Sequence, residues 1–353
     1  MVRSAVSQLP TTQSSKFSCP FPIDHYPTVR LEHGEGGKLM RQLIEQMFLP
    51  AFTLPGQRSP TLHDSTEIVV PCPKLAFSTN SYMMRPFFFP GGNIGGISVY
   101  STINNLGMSG ARPLYLTTGF LIEEGFSTKT LWRIVQSMRQ ASLQSRVQIV
   151  AGDTRVVPKG TIDGIIINTS GVGAIEHNLL ISPLSVRPGD IILVNSDIGR
   201  HGIAMIAQEA GREWGGTIAS DSAPFASLIL HLLKSRVEIH CLRDITRGGL
   251  ASALNAIAQM GKLTIQIAEN SIPLHKDVRE VSKSWGIDPL YGDSAGCFLA
   301  IIPPSSVKLA LEILRTQNPR ACAIGTIVGR SDRATGLIQL QDTKGQRFLE
   351  NKR

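Results

Sequence analysis

A glycine-rich stretch at residues 33–38, His-Gly-Glu-Gly-Gly-Lys, is the first segment that could bind an anion. The glycines Gly34, Gly36 and Gly37 would let backbone N–H groups approach a phosphate, and Lys38 would begin a helix whose N-terminus favours negative charge. Glu35 counts against this interpretation, because a carboxylate repels a polyphosphate at neutral pH. The stretch predicts a phosphate loop, with a plain turn before a helix as the alternative.

Two further stretches place an acid close to a base at the edge of an apolar run. Asp153, Thr154 and Arg155 follow a strand pattern, and ligands bind at such strand ends in open α/β folds. Asp244 and Arg247 precede a glycine pair at a helix entrance. Both stretches predict ligand contacts. A capped helix with a local ion pair is the alternative for each.

The elements that must position these residues alternate between strand and helix patterns. The predicted strands lie at 68–70, 75–77, 114–120, 147–150, 164–173, 191–195, 265–268, 297–302 and 324–328. The predicted helices cover 39–48 and 128–142, and others begin at residues 203, 225 and 249. Glycine pairs at 91–92 and 95–96 predict a turn before a further helix that ends near Met108.

The length of 353 residues exceeds that of one ordinary domain. Residues 182–190 contain two prolines and a glycine, and they are the best boundary between two series of alternating elements. We therefore predict an α/β fold, mixed with α+β character, of two domains at residues 29–178 and 179–347. A flexible or loosely docked arm at 1–28 and a short tail at 348–353 flank them.

The composition favours a soluble cytoplasmic enzyme-like protein. The five cysteines show no CxxC pair and no metal-ligand spacing, which is typical of reduced thiols in the cytosol. The first thirty residues lack an apolar signal region, and no apolar run reaches the ~20 residues of a membrane span. The net charge of +8 is spread along the chain without a basic block, so we expect neither nucleic acid nor a membrane as partner.

Many collinear segments between residues 29 and 347 together resemble one protein family. They include His33-Gly34, Leu62-His63-Asp64, Phe89-Pro90-Gly91-Gly92, Gly152-Asp153-Thr154, His201-Gly202-Ile203-Ala204, Thr246-Arg247-Gly248-Gly249 and Asp288-Pro289-Leu290-Tyr291. In order and spacing they resemble the HypE family of hydrogenase maturation proteins. That family belongs to the superfamily of aminoimidazole ribonucleotide synthetase (PurM) and selenophosphate synthetase.

The resemblance implies a PurM-like fold that forms a homodimer through its N-terminal domain, with ATP and Mg²⁺ near the interface. HypE-type proteins accept a carbamoyl group on a C-terminal cysteine from the carbamoyltransferase HypF. They then use ATP to dehydrate the thiocarboxamide to a thiocyanate, and the cyanide passes to the iron of a nickel–iron hydrogenase on the HypC–HypD complex. A thiolate suits this carrier role because it is a strong nucleophile with a labile bond to the acyl carbon.

The resemblance also implies which residues would bind the nucleotide and the metal. Besides the glycine loop and Lys38, the implied nucleotide contacts are Asp64, Asn80, Asn105, Asp153, Thr154, Asp244 and Arg247. The family has acids where this chain has Asn80, Asn93 and Asn105. Asp64 and Asp153 therefore remain as the implied metal ligands. An amide offers a neutral oxygen and no charge, so we expect weakened Mg²⁺ binding.

Further departures affect the implied chemistry itself. The family's lysine after Gly-Asp-Thr is Arg155 here, a cation that does not release its proton. The family's Asn-Glu-Gly stretch aligns with Ser294-Ala295-Gly296, so its carboxylate is absent. The family ends in Pro-Arg-Ile-Cys, whereas this sequence ends in Glu-Asn-Lys-Arg. The remaining candidates for catalysis are Arg155, Asp153 and Cys297, and a core position is the simpler interpretation of Cys297.

Three hypotheses follow from these departures. The first, which we favour, is a HypE-like maturation protein with impaired catalysis that acts as a scaffold or regulator. The second is an active carbamoyl dehydratase that uses another thiol, with Cys297 as the candidate. The third is a different ATP-dependent enzyme of the superfamily that uses Asp64, Asp153, Asp244 and Arg247.

Overall fold

The computed structural model describes residues 19–35, 37–56, 68, 70, 74–209, 218–342 and 345–349. The N-terminal half has six strands in the order β1 (Leu75–Tyr82), β2 (Phe88–Phe89), β3 (Gly92–Asn93), β4 (Arg112–Glu123), β5 (Gln148–Val157) and β6 (Ile165–Ala174). Its helices are α1 (Lys38–Leu43), α2 (Leu49–Phe52), α3 (Ile94–Gly107) and α4 (Thr128–Ser145), with a π-helical turn (Ile44–Phe48) between α1 and α2.

Four strands form one sheet in the order β1-β6-β4-β5, and β2 pairs with β3 in a short ribbon. Helix α3 packs on one face of this sheet, against β1 and β6, and α4 packs on α3. The face of α4 that points inward is apolar because Leu131, Ile134, Val135 and Met138 recur at helical spacing. The helix begins at a Ser127 N-cap, whose hydroxyl accepts from Thr130 N–H at 3.3 Å.

The C-terminal half is a seven-stranded sheet in the order β13-β12-β9-β11-β7-β10-β8. Its strands are β7 (Ile191–Val194), β8 (Cys241–Asp244), β9 (Leu263–Ala268), β10 (Phe298–Ile302), β11 (Cys322–Arg330), β12 (Leu337–Asp342) and β13 (Gly345–Phe348). Its helices are α5 (Arg200–Glu209), α6 (Ala226–Lys234), α7 (Gly249–Gly261), α8 (Lys276–Trp285) and α9 (Val307–Gln317). The chain is thus a mixed α/β protein, as predicted.

Most predicted elements of both halves are confirmed, although their ends shift by a few residues. Strand β10 is buried along its whole length, which explains its uninterrupted apolar sequence. The predicted turn at Gly95-Gly96 is wrong, because both glycines lie in the first turns of α3. A side chain at Gly95 would place its Cβ 2.4 Å from the carbonyl oxygen of Ile134, so this glycine permits close packing of α3 on α4.

Residues 19–29 are docked on the N-terminal half and do not form a free arm. Phe21 and Val29 are buried in its core. The N–H of Val29 donates to the carbonyl oxygen of Phe126 at 2.7 Å, and Thr28 bridges to Ser127. At the other end, Leu349 is also buried, so the predicted tail overlaps the last strand. The strand prediction at 68–70 falls largely outside the described residues, and the domain limits stay a prediction.

Residues 218–225, before α6, form hydrogen bonds with the N-terminal half. Asn104 of α3 uses both functions of its buried amide there: its oxygen accepts from Phe225 N–H at 2.8 Å, and its nitrogen donates to the Ala223 carbonyl at 3.0 Å. Ser220 N–H donates to the carbonyl oxygen of Pro90 at 2.8 Å. In the part of the chain that the structure describes, no helix has the length and apolar character that crossing a membrane requires.

Candidate functional site

The register of the N-terminal sheet separates two of the predicted ligand residues. Asp153 lies in a row with Gly119, Asn168 and Ser81, whereas Asn80 lies in the neighbouring row with Thr169. Adjacent rows point to opposite faces, and Asn80 contacts α3, so Asp153 points to the face that none of the described helices covers. β5 and β1 are also the two edges of the sheet, about 14 Å apart at ~4.8 Å per strand. One chain therefore does not bring these residues together.

The glycine loop lies against β5, beside Arg155. A Cβ at Gly34 would lie 2.2 Å from the backbone nitrogen of Val156, so the glycine is required for this approach. Gly37 is the N-cap of α1 with open space around it, Lys38 is exposed, and Gly36 lies outside the described residues. We call Gly34, Asp153 and Arg155 the edge group. Thr154, between the last two, is buried on the helix side of the sheet.

His33 precedes this loop and is fully buried. Its ring packs edge-on against Phe21 and Tyr26, with ring centroids 5.8 and 5.4 Å away. The Nδ1 atom accepts from Arg30 N–H at 3.1 Å, and Nε2 has no hydrogen-bond partner among the described residues. Burial lowers the pKa of His33, although the backbone of Arg30 and the charge of Glu32 oppose this. These contacts describe a neutral core histidine, and they favour the turn interpretation of the loop.

A second set of predicted residues meets where the two halves join. Asn80 donates to the Thr102 hydroxyl at 3.0 Å and accepts from the Asn105 amide at 3.3 Å. Tyr82 follows on the same face of β1, and burial raises its pKa; a hydrogen bond from Ser101 and the charge of Arg247 oppose that shift. The charge of Asp244 raises the pKa of Tyr82 as well, so Asp244 and Arg247 both act electrostatically on this tyrosine. We call Asn80, Asn105, Asp244 and Arg247 the junction group.

The loop after β8 is held by short contacts. Thr246 donates from its hydroxyl to Asp244 at 2.9 Å, and Gly248 N–H donates to Asp293 at 3.0 Å. Gly249 has φ +63°, and a Cβ there would lie 2.5 Å from the carbonyl oxygen of Leu290. Burial raises the pKa of Asp293, against the Gly248 hydrogen bond and the nearby charges of His201 and Arg247. The glycine pair thus permits this loop to pack closely on the backbone near Leu290. Arg247, just before the pair, is exposed at the junction.

A cavity of ≈ 480 Å³ opens beside this loop. Its lining includes His201, Met205, Gly248, Tyr291 and Asp293. His201 Nδ1 lies 2.9 Å from the Ser220 hydroxyl, and burial lowers the pKa of this histidine, so the ring is neutral at pH 7. The site prediction missed His201 and Asp293. The sequence did point to these two positions, because the segments at or beside them, around residues 201 and 288–291, were part of the family resemblance.

Ala295 stands at the position where the family resemblance expects a glutamate, and Cys297 lies two residues later. Ala295 packs with Phe89 and Ile97 in an apolar cluster between the two halves, and its N–H donates to Asp221 at 3.0 Å. Cys297 is 1% exposed, and its thiol lies 3.6 Å from the Ser196 carbonyl oxygen. Burial raises the pKa of Cys297 well above its ordinary value, so the thiolate is disfavoured. This environment favours a core position and argues against a carbamoyl acceptor.

The described donors do not fit a divalent metal within one chain. Asn80 and Asn105 offer neutral amides that are bonded to each other, and Asn93 is engaged as the N-cap of α3, accepting from Gly96 N–H at 2.8 Å. Asp153 points to the other face of the sheet, and Asp64 lies outside the described residues. Among the residues that the structure describes, no group of three or more His, Cys, Asp or Glu is placed to hold a metal ion.

Two family models match most of the chain. The model described as AIR synthase related protein, N-terminal domain, matches residues 65–175. The model of the C-terminal domain of the same proteins matches residues 187–336. The first match contains the whole four-stranded sheet, and the second contains strands β7 to β11 of the C-terminal sheet, so both halves have the same kind of fold as these proteins.

Individual relatives are similar over nearly the whole chain. Carbamoyl dehydratase HypE of Azotobacter vinelandii is 40% identical over 308 residues, which are 87% of this chain and 90% of that protein. The crystal structure of hydrogenase maturation protein HypE in complex with ATP is 37% identical, with a TM-score of 0.88, and covers 92% of this chain and 98% of that one. The HypE–HypF complex contains a chain that is 36% identical, with a TM-score of 0.74 and coverages of 79% and 90%.

Proposed function

We propose a function for this chain from one premise: it belongs to the HypE family of hydrogenase maturation proteins, built from the two AIR synthase related domains. The proposed role is that of a HypE-type protein with weak metal-dependent nucleotide binding and impaired carbamoyl dehydration, acting as a scaffold or regulator. The observation that supports it most is the direct hydrogen bond between the amides of Asn80 and Asn105.

Two amides at this spacing satisfy each other, whereas two carboxylates would not. Two carboxylates 3.3 Å apart would repel each other unless a cation or a shared proton lay between them. The neutral pair satisfies its hydrogen bonds without any ion, and Thr102 supplies a further partner. Carboxylates are the usual protein ligands that hold Mg²⁺ against nucleotide phosphates. The junction group therefore has less negative charge with which to bind the Mg²⁺ of Mg·ATP.

The position of Ala295 supports the same conclusion for the chemical step. The side chain fills an apolar contact with Phe89 and Ile97, where the family resemblance expects a carboxylate. A charged group in that contact would be desolvated at considerable cost. Arg155 occurs in place of a lysine, and its guanidinium does not act as a proton donor at neutral pH. The chain thus has fewer groups that could transfer protons during dehydration.

A homodimer would complete the nucleotide site. Asp153 of the edge group and Asn80 of the junction group lie at opposite edges and on opposite faces of one sheet, so one chain does not enclose a nucleotide between them. The uncovered face of that sheet has exposed apolar side chains, with Phe77 at 77% and Leu121 at 38% exposure. A second copy packed on this face would bury them and bring an edge group close to the partner's sheet. The solved relative that binds ATP supports nucleotide as the ligand.

The proposed partners follow from the family as well. The solved HypE–HypF complex supports a HypF-like carbamoyltransferase as a binding partner, and the family resemblance extends this to a HypC–HypD complex. A chain with low turnover that retains these interfaces would compete with, or pair with, an active relative.

Titration calorimetry with ATP in the presence and absence of Mg²⁺ tests this proposal. We expect the unmodified chain to bind ATP with an affinity that Mg²⁺ changes less than threefold, roughly 0.6 kcal/mol. The double variant Asn80→Asp/Asn105→Asp should gain at least about tenfold in affinity when Mg²⁺ is present. Asn80→Ala/Asn105→Ala is the matched control and should show no such gain. Strong Mg²⁺ dependence in the unmodified chain would refute the proposal.

Retained turnover is the second candidate function. The cavity beside Gly248, with neutral His201 and the carboxyl of Asp293 in its lining, favours it because these groups could transfer protons. Incubation with a HypF-like carbamoyltransferase, carbamoyl phosphate and ATP distinguishes the two functions. A thiocyanate on any cysteine, formed from its carbamoyl adduct by an ATP-driven loss of water, would support turnover; phosphate release alone would not, because carbamoyl phosphate frees phosphate in the transfer step. Stable binding of the partner without either product supports the scaffold role.

A further inference from the structure

Two arginines stacked on phenyl rings line one open cavity of ≈ 430 Å³ in the N-terminal half. The residues that line it are Arg85, Pro86, Phe87, Phe88, Thr130 and Arg133. None of them belongs to the edge group or the junction group. Among the residues that the structure describes, no carboxylate is part of this lining, so the cavity combines aromatic surface with positive charge.

Arg85 is held in place from three sides. Its guanidinium lies over the ring of Phe87 at 4.2 Å from the centroid, and its Nε and Nη2 atoms donate to one oxygen of Asp163 at 3.1 and 2.7 Å. Gly164 adjoins both groups, since a Cβ there would lie 2.9 Å from Nη2 and 3.0 Å from the Phe87 ring. The Nη1 donors have no partner among the described residues. An anion would meet a guanidinium whose orientation is already set.

Arg133 faces the same cavity from α4. Its guanidinium lies 3.9 Å from the centroid of the Phe88 ring, and no described carboxylate lies within ion-pair distance of it. Thr130 is three residues earlier, so its hydroxyl lies on the same side of the helix. A stacked guanidinium keeps its N–H donors in the plane of the group, where they remain available to an oxyanion.

The local charges favour an anionic ligand. Asp163 offsets one of the two arginines, which leaves about one positive charge in the lining. Glu123 lines an adjoining cavity, and its oxygens accept from Gly160 N–H at 2.6 Å and Gly164 N–H at 3.1 Å. Glu124 and Lys159 also line that adjoining cavity, and their charges are opposite.

We propose that this cavity is a second binding site, for a small molecule that joins a phosphate or carboxylate group to a planar aromatic body. The oxyanion binds Arg85 Nη1, the Arg133 guanidinium and the Thr130 hydroxyl, and the planar body packs on Pro86 and the phenyl rings. This site is separate from the proposed nucleotide function, because it shares no residue with either ligand group.

Phenyl phosphate is the probe, titrated into the full chain by calorimetry, with inorganic phosphate and phenol as the two half-ligands. We expect saturable binding of phenyl phosphate that is at least about tenfold tighter than that of either half-ligand. Arg133→Gln and Arg85→Gln should each weaken it by about tenfold or more, because each removes a charge-assisted hydrogen bond. Arg41→Gln is the matched control: this arginine is exposed and pairs only with Glu45, so its loss should leave binding unchanged.

Binding of phenyl phosphate that survives both cavity variants would place it elsewhere and overturn the proposal. Equal binding of inorganic phosphate would also overturn it, because the rings would then have no role. The variants should unfold at the same temperature as the unmodified chain, since the Arg85–Asp163 pair is more than half exposed and adds little stability.

Discussion

The side-chain amide of Asn105 donates a hydrogen bond to the side-chain oxygen of Asn80, with 3.3 Å between the two atoms. Helix α3 and strand β1 thereby meet through neutral groups at a place where the family resemblance expects two acids. The nitrogen of Asn80 donates in turn to Thr102, whose hydroxyl lies 2.7 Å from that of Thr169. This chain of neutral donors and acceptors stabilises the contact without a metal ion.

Restoring both acids should make the stability of the protein depend on Mg²⁺. Two carboxylates at this spacing repel by roughly 5 kcal/mol at an effective dielectric constant of about 20, before the side chains relax. We expect Asn80→Asp/Asn105→Asp to unfold at a lower temperature than the unmodified chain in EDTA and to recover when Mg²⁺ is added. Differential scanning fluorimetry measures both. An equal response of Asn80→Ala/Asn105→Ala to Mg²⁺ would contradict this explanation.

The amide of Asn104 should contribute strongly to the contact between the two halves. Asn104→Ala leaves the buried Phe225 N–H and the Ala223 carbonyl without partners, which should cost about 2–4 kcal/mol. Asn105→Ala, one residue further along α3, should cost less than about 1 kcal/mol, because its amide bonds only to Asn80. Urea unfolding measures the difference. Equal losses for the two variants would show that Asn104 has no special role.

Two of the buried histidines, His33 and His201, should make the protein less stable in mild acid. Burial lowers the pKa of both His33 and His201 below the ordinary 6.5. The unfolded chain therefore binds more protons than the folded chain as pH falls below about 6.5, and the free energy of unfolding decreases between pH 7.5 and 5.5. Urea unfolding across this range should show the decrease.

Asparagine variants isolate this effect. Asn can replace the Nδ1 contacts to Arg30 N–H and to the Ser220 hydroxyl, and it does not titrate. We expect a shallower pH dependence in His33→Asn/His201→Asn. Burial raises the pKa of Asp221 and Asp293, so those acids act in the opposite sense and remain in both proteins. An unchanged slope in the double variant would rule out the histidines as its cause.

Alkylation should separate the cysteines by burial. Cys241 and Cys297 are buried, and burial raises the pKa of Cys241 to about 12 and that of Cys297 well above its ordinary value. Iodoacetamide at pH 8 should therefore modify half-buried Cys19 and Cys322 and leave Cys241 and Cys297 intact in the folded protein. Peptide mass spectrometry reads the sites, and alkylation in urea is the control. Rapid modification of Cys297 in the folded state would revive it as a carbamoyl acceptor.

Two glycines of the loop at residues 33–38 should respond differently to alanine. Gly34→Ala forces a Cβ into the backbone of Val156, and we expect a loss of about 2–4 kcal/mol in the free energy of unfolding. Gly37→Ala meets no atom within 4 Å and should cost less than about 1 kcal/mol. Urea unfolding of both variants checks the contrast. A tolerated Gly34→Ala would mean that the loop does not pack on β5 as described.

Local patterns in the sequence were sufficient for most elements of the fold. The spacing of apolar residues on α4 and the apolar run of β10 each reflect contacts with a layer that lies directly above or below. The glycine pair at 95–96 was wrongly predicted to border a turn, because both residues lie in α3. It permits contact with Ile134, about forty residues later, and no local pattern reports such a distant neighbour.

The residues of the candidate site could be predicted from the sequence, but their arrangement in space could not. Sequence alone identified Asn80, Asn105, Asp153, Asp244 and Arg247 as residues of interest, since a resemblance depends on residue types and their order. Only the tertiary structure decided that Asp153 lies at the opposite edge of the sheet from Asn80, because strand order and side-chain direction arise from long-range pairing of β1 with β6 and β4 with β5. The same pairing, with the packing of α4, formed the cavity between Arg85 and Arg133, two residues that no spacing in the chain connects.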